Sequence, residues 1–366
     1  MARKLKTDKV LFTATLLLVC TSVIMVYSAS ALLALDRFQQ PYLFVIRQVM
    51  WTLLGLGVLW IAMHLDYRTY RNDTLIWTLL GIVALTLVGV LFFPPVNGTR
   101  RWFGIGGLGI QPSELAKMAA VFFTALVLER RMHRIDEVSY SLLPIGLVVA
   151  PMVALILLQP DFGTAITLVL IVATMIFAAG LHYRYIIGTL LVLVPAVYIV
   201  LVSAPYRRRR LLAFWDPWAD PLGDGFQIIQ SLIAVGTGGM VGRGLMAGVQ
   251  KLLYLPEPHT DFIYAVIGEE LGLIGATGTL VCFCLVAWRG LRITMRAPDT
   301  FGAFLALGVT TMIVVQAFVN MSVVLGLLPT KGIPLPLVSA GGSSLVVSLL
   351  GMGVLLNISQ HETART

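Results

Sequence analysis

Long apolar runs separated by short polar or basic clusters dominate this chain. A helix needs about 20 apolar residues to cross roughly 30 Å of hydrocarbon. That length places spans near Val10–Ala31, Phe44–His64, Thr74–Phe93, Pro112–Leu128, Leu142–Leu158, Gly163–Gly180, Tyr185–Ser203, Phe262–Trp288, Phe301–Leu327 and Leu337–Ser359. Backbone groups in hydrocarbon must satisfy their own hydrogen bonds, and runs this long do so as helices. The first run is too long for a secretory signal core and reads as an uncleaved first span. The expected fold class is an all-α polytopic membrane protein of about ten transmembrane helices, a single domain over residues 1–366. Its one long connection, residues 204–261 between helices 7 and 8, reads as a large structured extracytoplasmic loop. Within that loop Gln227–Val235 reads as a short helix lying in the interface.

Composition agrees: 58% of residues are hydrophobic and 12% charged, about half the charge of a soluble domain. The net charge of +8 has no soluble domain to carry it, so nucleic-acid binding is not expected. Basic residues cluster on alternate connections (Arg68, Arg71, Arg130, Arg131, Arg134, Arg289, Arg292, Arg296), whereas the short connections of the other set hold only Arg37, Arg100, Arg101 and Lys331. By the positive-inside rule both termini are cytoplasmic. Thirteen of the 17 prolines then fall on the outer side, which predicts an outer face of irregular backbone around a cavity. Cys20, Cys282 and Cys284 sit in apolar runs and suggest neither disulfides nor a metal site.

Charges beside spans are costly and point to function. Asp261 closes the long loop at the start of the eighth span; it is either a partly desolvated general base or a helix cap. Glu114 and Lys117 share a helix face and either pair structurally or meet a substrate. Arg100 and Arg101 suit a phosphate ligand or lipid headgroups. Asp161, in Gln159-Pro-Asp-Phe-Gly163, most simply caps the sixth helix, while Glu269 and Glu270 are expected to pair inside the bundle. Asn97-Gly-Thr99 matches a glycosylation sequon, a weak signal. No nucleotide-binding or HExxH zinc motif is present.

Several segments together resemble the SEDS family, the peptidoglycan polymerases typified by RodA and FtsW. They are Asn97-Gly-Thr-Arg-Arg-Trp102, Gln111-Pro-Ser-Glu-Leu-Ala-Lys117, Gln159-Pro-Asp-Phe-Gly-Thr164, Asp216-Pro-Trp-Ala-Asp-Pro221, Gly225–Ser231, His259-Thr-Asp-Phe262, Gly268-Glu-Glu-Leu-Gly272, Leu328–Pro336 and Ser339–Ser343. Leu328-Pro-Thr-Lys331-Gly and Arg210–Trp218 are closer to the FtsW-like division branch. Ala340 and Pro258 depart from the family pattern.

The resemblance implies a glycosyltransferase that polymerises lipid II, a disaccharide-pentapeptide on undecaprenyl pyrophosphate, outside the bacterial cytoplasmic (inner) membrane for septal wall synthesis. Asp261 would be the catalytic base. Arg100, Arg101, Glu114, Lys117, Gln159, Asp161, His259, Thr260, Lys331, Ser339 and Ser343 are the expected substrate-binding positions. Cations, among them the Arg207–Arg210 run, would receive the departing diphosphate. The resemblance fixes no cofactor; a divalent cation, Mg or Mn, could share that task, although the sequence shows no dedicated cage. Implied partners are a class B penicillin-binding protein, through its transmembrane helix, and other divisome or elongasome membrane proteins. A lipid II flippase and a noncatalytic divisome scaffold are the alternatives; the large loop and the polar motifs gathered on one face lean against a flippase.

Overall fold

The computed structural model describes residues 7–361, except 96–97, 106–107, 253 and most of 186–204. The seventh expected span, Tyr185–Ser203, and the sequon residue Asn97 therefore lie largely or wholly outside the described residues. The helices are α1 (Lys9–Phe38), α2 (Leu43–His64), α3 (Asp73–Gly89), α4 (Pro112–Arg131), α5 (Leu143–Leu158), α6 (Phe162–Ala178), α7 (Pro205–Trp215), α8 (Phe226–Gly238), α9 (Ile263–Arg296), α10 (Thr300–Val324) and α11 (Gly342–Ser359). A two-stranded antiparallel hairpin, β1 (Phe103–Ile105) and β2 (Leu108–Ile110), joins α3 to α4.

Among the described residues seven helical segments are long and apolar enough to cross a membrane: 9–38, 43–64, 73–92, 139–158, 263–296, 300–324 and 342–359. Two further expected spans are present as helices that differ in character. Charges in both end turns of α4 (Glu114, Lys117, Glu129, Arg130, Arg131) dilute its hydropathy, and α6 has only 17 residues. The chain is a multi-pass helical membrane protein.

Side-chain caps set several helix starts, each satisfying an N–H left over in the first turn. Asp8 accepts from Leu11 N at 3.0 Å, Asn72 from Thr74 N at 2.9 Å and Asp299 from Gly302 N at 2.7 Å. Pro112 opens α4, where its missing N–H costs nothing. α4 forms the axis of the bundle and is buried continuously from Ala116 to Leu128 against α3, α6, α10 and α11. The closest helix pair is α2 with α11, where Gly353 lets its backbone approach Leu59 and Ala62. Small residues allow such close packing between membrane helices.

α8 forms within the long loop, as expected, and packs against the bundle. Its Ile228, Ile229 and Ala234 are buried, and Ser231 Oγ donates to the Val324 carbonyl at 2.7 Å. Residues 239–251 then run back beside α9, which breaks at Gly272 (φ 66°, ψ −162°), a conformation that favours glycine. There the buried Glu269 and Glu270 find their partners. Val249 N donates to Glu269 at 2.7 Å, and Lys251 Nζ and Ser28 Oγ bond Glu270 at 2.5 and 2.7 Å. Two carboxylates in an apolar bundle are thus met by backbone donors and one buried lysine, the condition for tolerating them there.

Candidate active site

At the bundle end where α4, α6, α9 and α11 begin, two cavities meet at Arg101 and Gly332. The larger, about 480 Å³, is lined by Arg101, Trp102, Glu257, Thr260, Asp261 and Pro334 among others. The smaller, about 160 Å³, is lined by Arg101, Asp161, Arg210, Thr330 and Lys331. One compartment thus carries two carboxylates and Arg101; the next shares Arg101 and adds Arg210, Lys331 and one carboxylate.

Asp261 stands two residues before α9 without capping it: the cap position is Phe262, and no side chain bonds the first turn. Its backbone carbonyl accepts from Asn320 Nδ2 at 2.8 Å, which ties it to α10. Its half-buried carboxylate has no hydrogen-bond donor among the described residues. Loss of hydration on burial pushes its pKa up to about 7, with the Glu257 charge adding to the rise. Arg101 and Arg210 pull it the other way, and Asp161 adds to the rise. A carboxylate with free lone pairs and a pKa near neutrality is suited to taking a proton.

The segment 328–341 crosses the mouth of the bundle without regular structure and is held by polar side chains from beneath. Asn320 Nδ2 also donates to the Ile333 carbonyl at 2.7 Å, and Gln316 Nε2 to the Pro334 carbonyl at 2.9 Å. Gln316 in turn accepts from Lys117 Nζ at 2.5 Å, and Lys117 pairs with Glu114 at 2.9 Å. The buried Glu114–Lys117 pair therefore supports the cavity rather than lining it. Ser339 Oγ donates to the Thr260 carbonyl at 2.5 Å, and Ala340 N to the His259 carbonyl at 2.9 Å, which binds this segment to the Asp261 loop.

The other expected site residues divide in the same way. Arg101, Asp161, Thr260 and Lys331 line the cavities. Asp161 caps α6 through Thr164 N at 3.2 Å, accepts from Gln111 Nε2 at 2.8 Å and stands 3.9 Å from Arg101. Ser343 Oγ accepts from Gln111 N, and Gln159 Nε2 donates to the Leu87 carbonyl at 3.0 Å; both are buried behind the wall. Arg100 is exposed, donates to the Leu91 carbonyl and lines neither cavity. His259 is buried against Phe44 (ring centroids 4.9 Å apart), its pKa lowered by burial, and its Nδ1 has no partner among the described residues.

Three contributors were not singled out from the sequence. Glu257 sits between two prolines with a left-handed φ of 49°, and its carboxylate lies 3.9 Å from His259. Such backbone strain clusters at functional sites. Gln316 and Asn320 are polar residues four apart in an apolar span, a one-face spacing that marks them in retrospect.

The family model described as "Cell cycle protein", covering FtsW, RodA and SpoVE, matches residues 8–364. "Probable peptidoglycan glycosyltransferase FtsW" of Geobacter sulfurreducens is 44% identical over 356 residues, 96% of this chain and 95% of that protein. "Stage V sporulation protein E" of Bacillus subtilis is 42% identical, covering 98% of this chain and 99% of that protein. A solved chain from "Structural coordination of polymerization and crosslinking by a peptidoglycan synthase complex" superposes with a TM-score of 0.79 at 33% identity, covering 97% of this chain and 98% of its own. The crystal structure of the rod shape determining protein RodA of Thermus thermophilus superposes with a TM-score of 0.72 at 28% identity, covering 98% of each chain. The chain belongs to the FtsW/RodA/SpoVE family of cell cycle proteins.

Proposed function

We infer that the chain is a peptidoglycan glycosyltransferase of the FtsW type, acting in septal cell-wall synthesis, and that its substrate is lipid II. One observation carries this reading: the donor-free carboxylate of Asp261 faces a cavity whose neighbouring compartment gathers Arg101, Arg210 and Lys331. Asp261 takes the proton from the acceptor sugar hydroxyl as that oxygen bonds the donor's anomeric carbon. The bond from that carbon to the lipid diphosphate breaks, and its electron pair leaves with the diphosphate. The three cations meet the charge that grows on the departing group.

Among the described residues no cluster of three metal-ligating side chains occurs. A divalent ion at this site would take most of its ligands from the diphosphate and water, as Mg commonly does, with Asp161 or Asp261 as the nearest carboxylate. No step above depends on it.

The reading also takes the chain as one ten-span domain with both termini in the cytoplasm of the inner membrane. Arg68, Arg71, Arg130, Arg131, Arg289, Arg292 and Arg296 all lie at the end opposite Asp261, which supports an outward-facing site. A partner supplying cross-linking, a class B penicillin-binding protein, fits the complex in which the structural neighbour was solved.

The test is polymerisation of labelled lipid II by purified protein, with and without the partner and divalent ions, for wild type and Asp261→Asn. Polymer from the wild type and none from a normally folded Asp261→Asn is the expected result. Unchanged polymer from the variant removes Asp261 from the mechanism, and translocation without polymer from the wild type identifies a flippase.

A further inference from the structure

We infer that Trp102 is the sugar platform of the larger cavity, the surface on which a pyranose ring of the substrate stacks; this deepens the glycosyltransferase reading and rests on it. In an extended segment, residues two apart share a face. Phe103 anchors the hairpin, its ring edge-on to Phe93 with centroids 4.7 Å apart and close to Gly89. Trp102 and Gly104 lie on the other side and both line the cavity.

Gly104 faces its cross-strand partner Gly109, and a side chain at Gly104 would meet nothing within 4 Å. Gly109 leaves room for the indole, which lies against it, and Gly104 leaves open space on the same wall, so the indole is the wall's principal feature. Trp102 is the one aromatic ring lining that cavity among the described residues. It is half-buried, and its indole N–H has no acceptor among them. The ring packs on Gly109 and also lines the cavity that holds Arg101 and Asp261, where a ligand with an apolar face can stack on it. The electron-rich face of an aromatic ring attracts weakly positive C–H groups, and its N–H seeks an acceptor. A sugar offers both, an apolar C–H face and hydroxyl oxygens, whereas a polyprenyl diphosphate places no ring there.

Equilibrium binding of fluorescent lipid II and of undecaprenyl pyrophosphate, which lacks the sugars, to the detergent-solubilised full chain tests this. Trp102→Leu should weaken lipid II binding by about tenfold, within the range of stacking on an aromatic side chain, and leave the sugarless lipid unaffected. Trp102→Phe should retain most of the affinity. If Trp102→Leu does not melt like the wild type, Gly109→Ala replaces it: its methyl would stand 3.0 Å from Trp102 Cε3 and tilt the ring, with the same selective loss expected. Wild-type affinity for lipid II in Trp102→Leu or Gly109→Ala, or equal loss for both lipids, overturns the assignment. Failure of the polymerase reading shows separately, as wild-type protein that binds lipid II and makes no polymer.

Discussion

A methyl group placed on Gly332 would stand 2.7 Å from Oδ2 of Asp261, so the backbone of the 328–341 segment abuts that carboxylate directly. Glycine here sets where that carboxylate can point. Gly332→Ala should leave melting close to wild type and lower the polymerisation rate by roughly 10- to 100-fold, the cost of displacing a catalytic group by about an ångström. Lipid II turnover and thermal melting, measured together, check this.

The pH dependence of polymerisation should report Asp261. If Asp261 is the base proposed above, its ionised form is the active one and kcat/KM should rise with pH through about 7. Glu257 holds that pKa up and Arg210 holds it down. Glu257→Gln should therefore move the acid limb to lower pH, and Arg210→Gln should move it to higher pH. Shifts of the same sign in both variants would contradict the electrostatic arrangement.

Stability should respond in the opposite sense to activity. A carboxyl whose folded pKa is raised above its unfolded value binds its proton more tightly in the folded state. That stabilisation is present at low pH and lost as pH rises through about 7. Asp261→Asn should therefore melt above wild type at pH 8, with the difference narrowing below about pH 7 and closing only near pH 4, the ordinary aspartate value. Calorimetric or fluorescence melting across that window measures it.

The Glu114–Lys117 pair should act as a support. Removing one partner leaves a buried charge without compensation, a loss of roughly 3–5 kcal/mol, while replacing both restores most of the stability. Lys117→Ala should melt far below wild type, and Glu114→Gln/Lys117→Met should recover. Activity should recover only as far as Gln316 regains its hold on Pro334.

Lys251 should fasten the segment that runs beside α9. Lys251→Met removes the cation from Glu270 and should speed hydrogen exchange at Met246, Val249 and Gln250, whose amides donate to Glu270 and Glu269. Exchange in α4 should not change.

Helix identity was largely legible because a run of about 20 apolar residues has few alternatives in lipid. Asp8, Asn72 and Asp161 at helix starts follow from local capping chemistry. Charge placement likewise marked Asp261, Arg101, Asp161 and Lys331, because such groups rarely stand beside a span without a role. Beyond this the linear chain is ambiguous. Lining a cavity and supporting it draw on the same residue types: Glu114 and Lys117 resemble Asp161 and Arg101 in sequence, yet the first pair is sealed beneath Gln316 and the second faces the cavity. The amphipathic pattern of α8 cannot say whether lipid or protein covers its apolar side, and packing against α9 and α10 covers part of it. Gly332, Glu257 and Gly104 acquire meaning only from what lies across from them, over separations that local sequence does not encode. The sequence by itself determined a polytopic helical chain with a carboxylate at the head of one span. The tertiary structure decided which charges meet, because burial and long-range proximity are properties of packing and not of spacing along the chain.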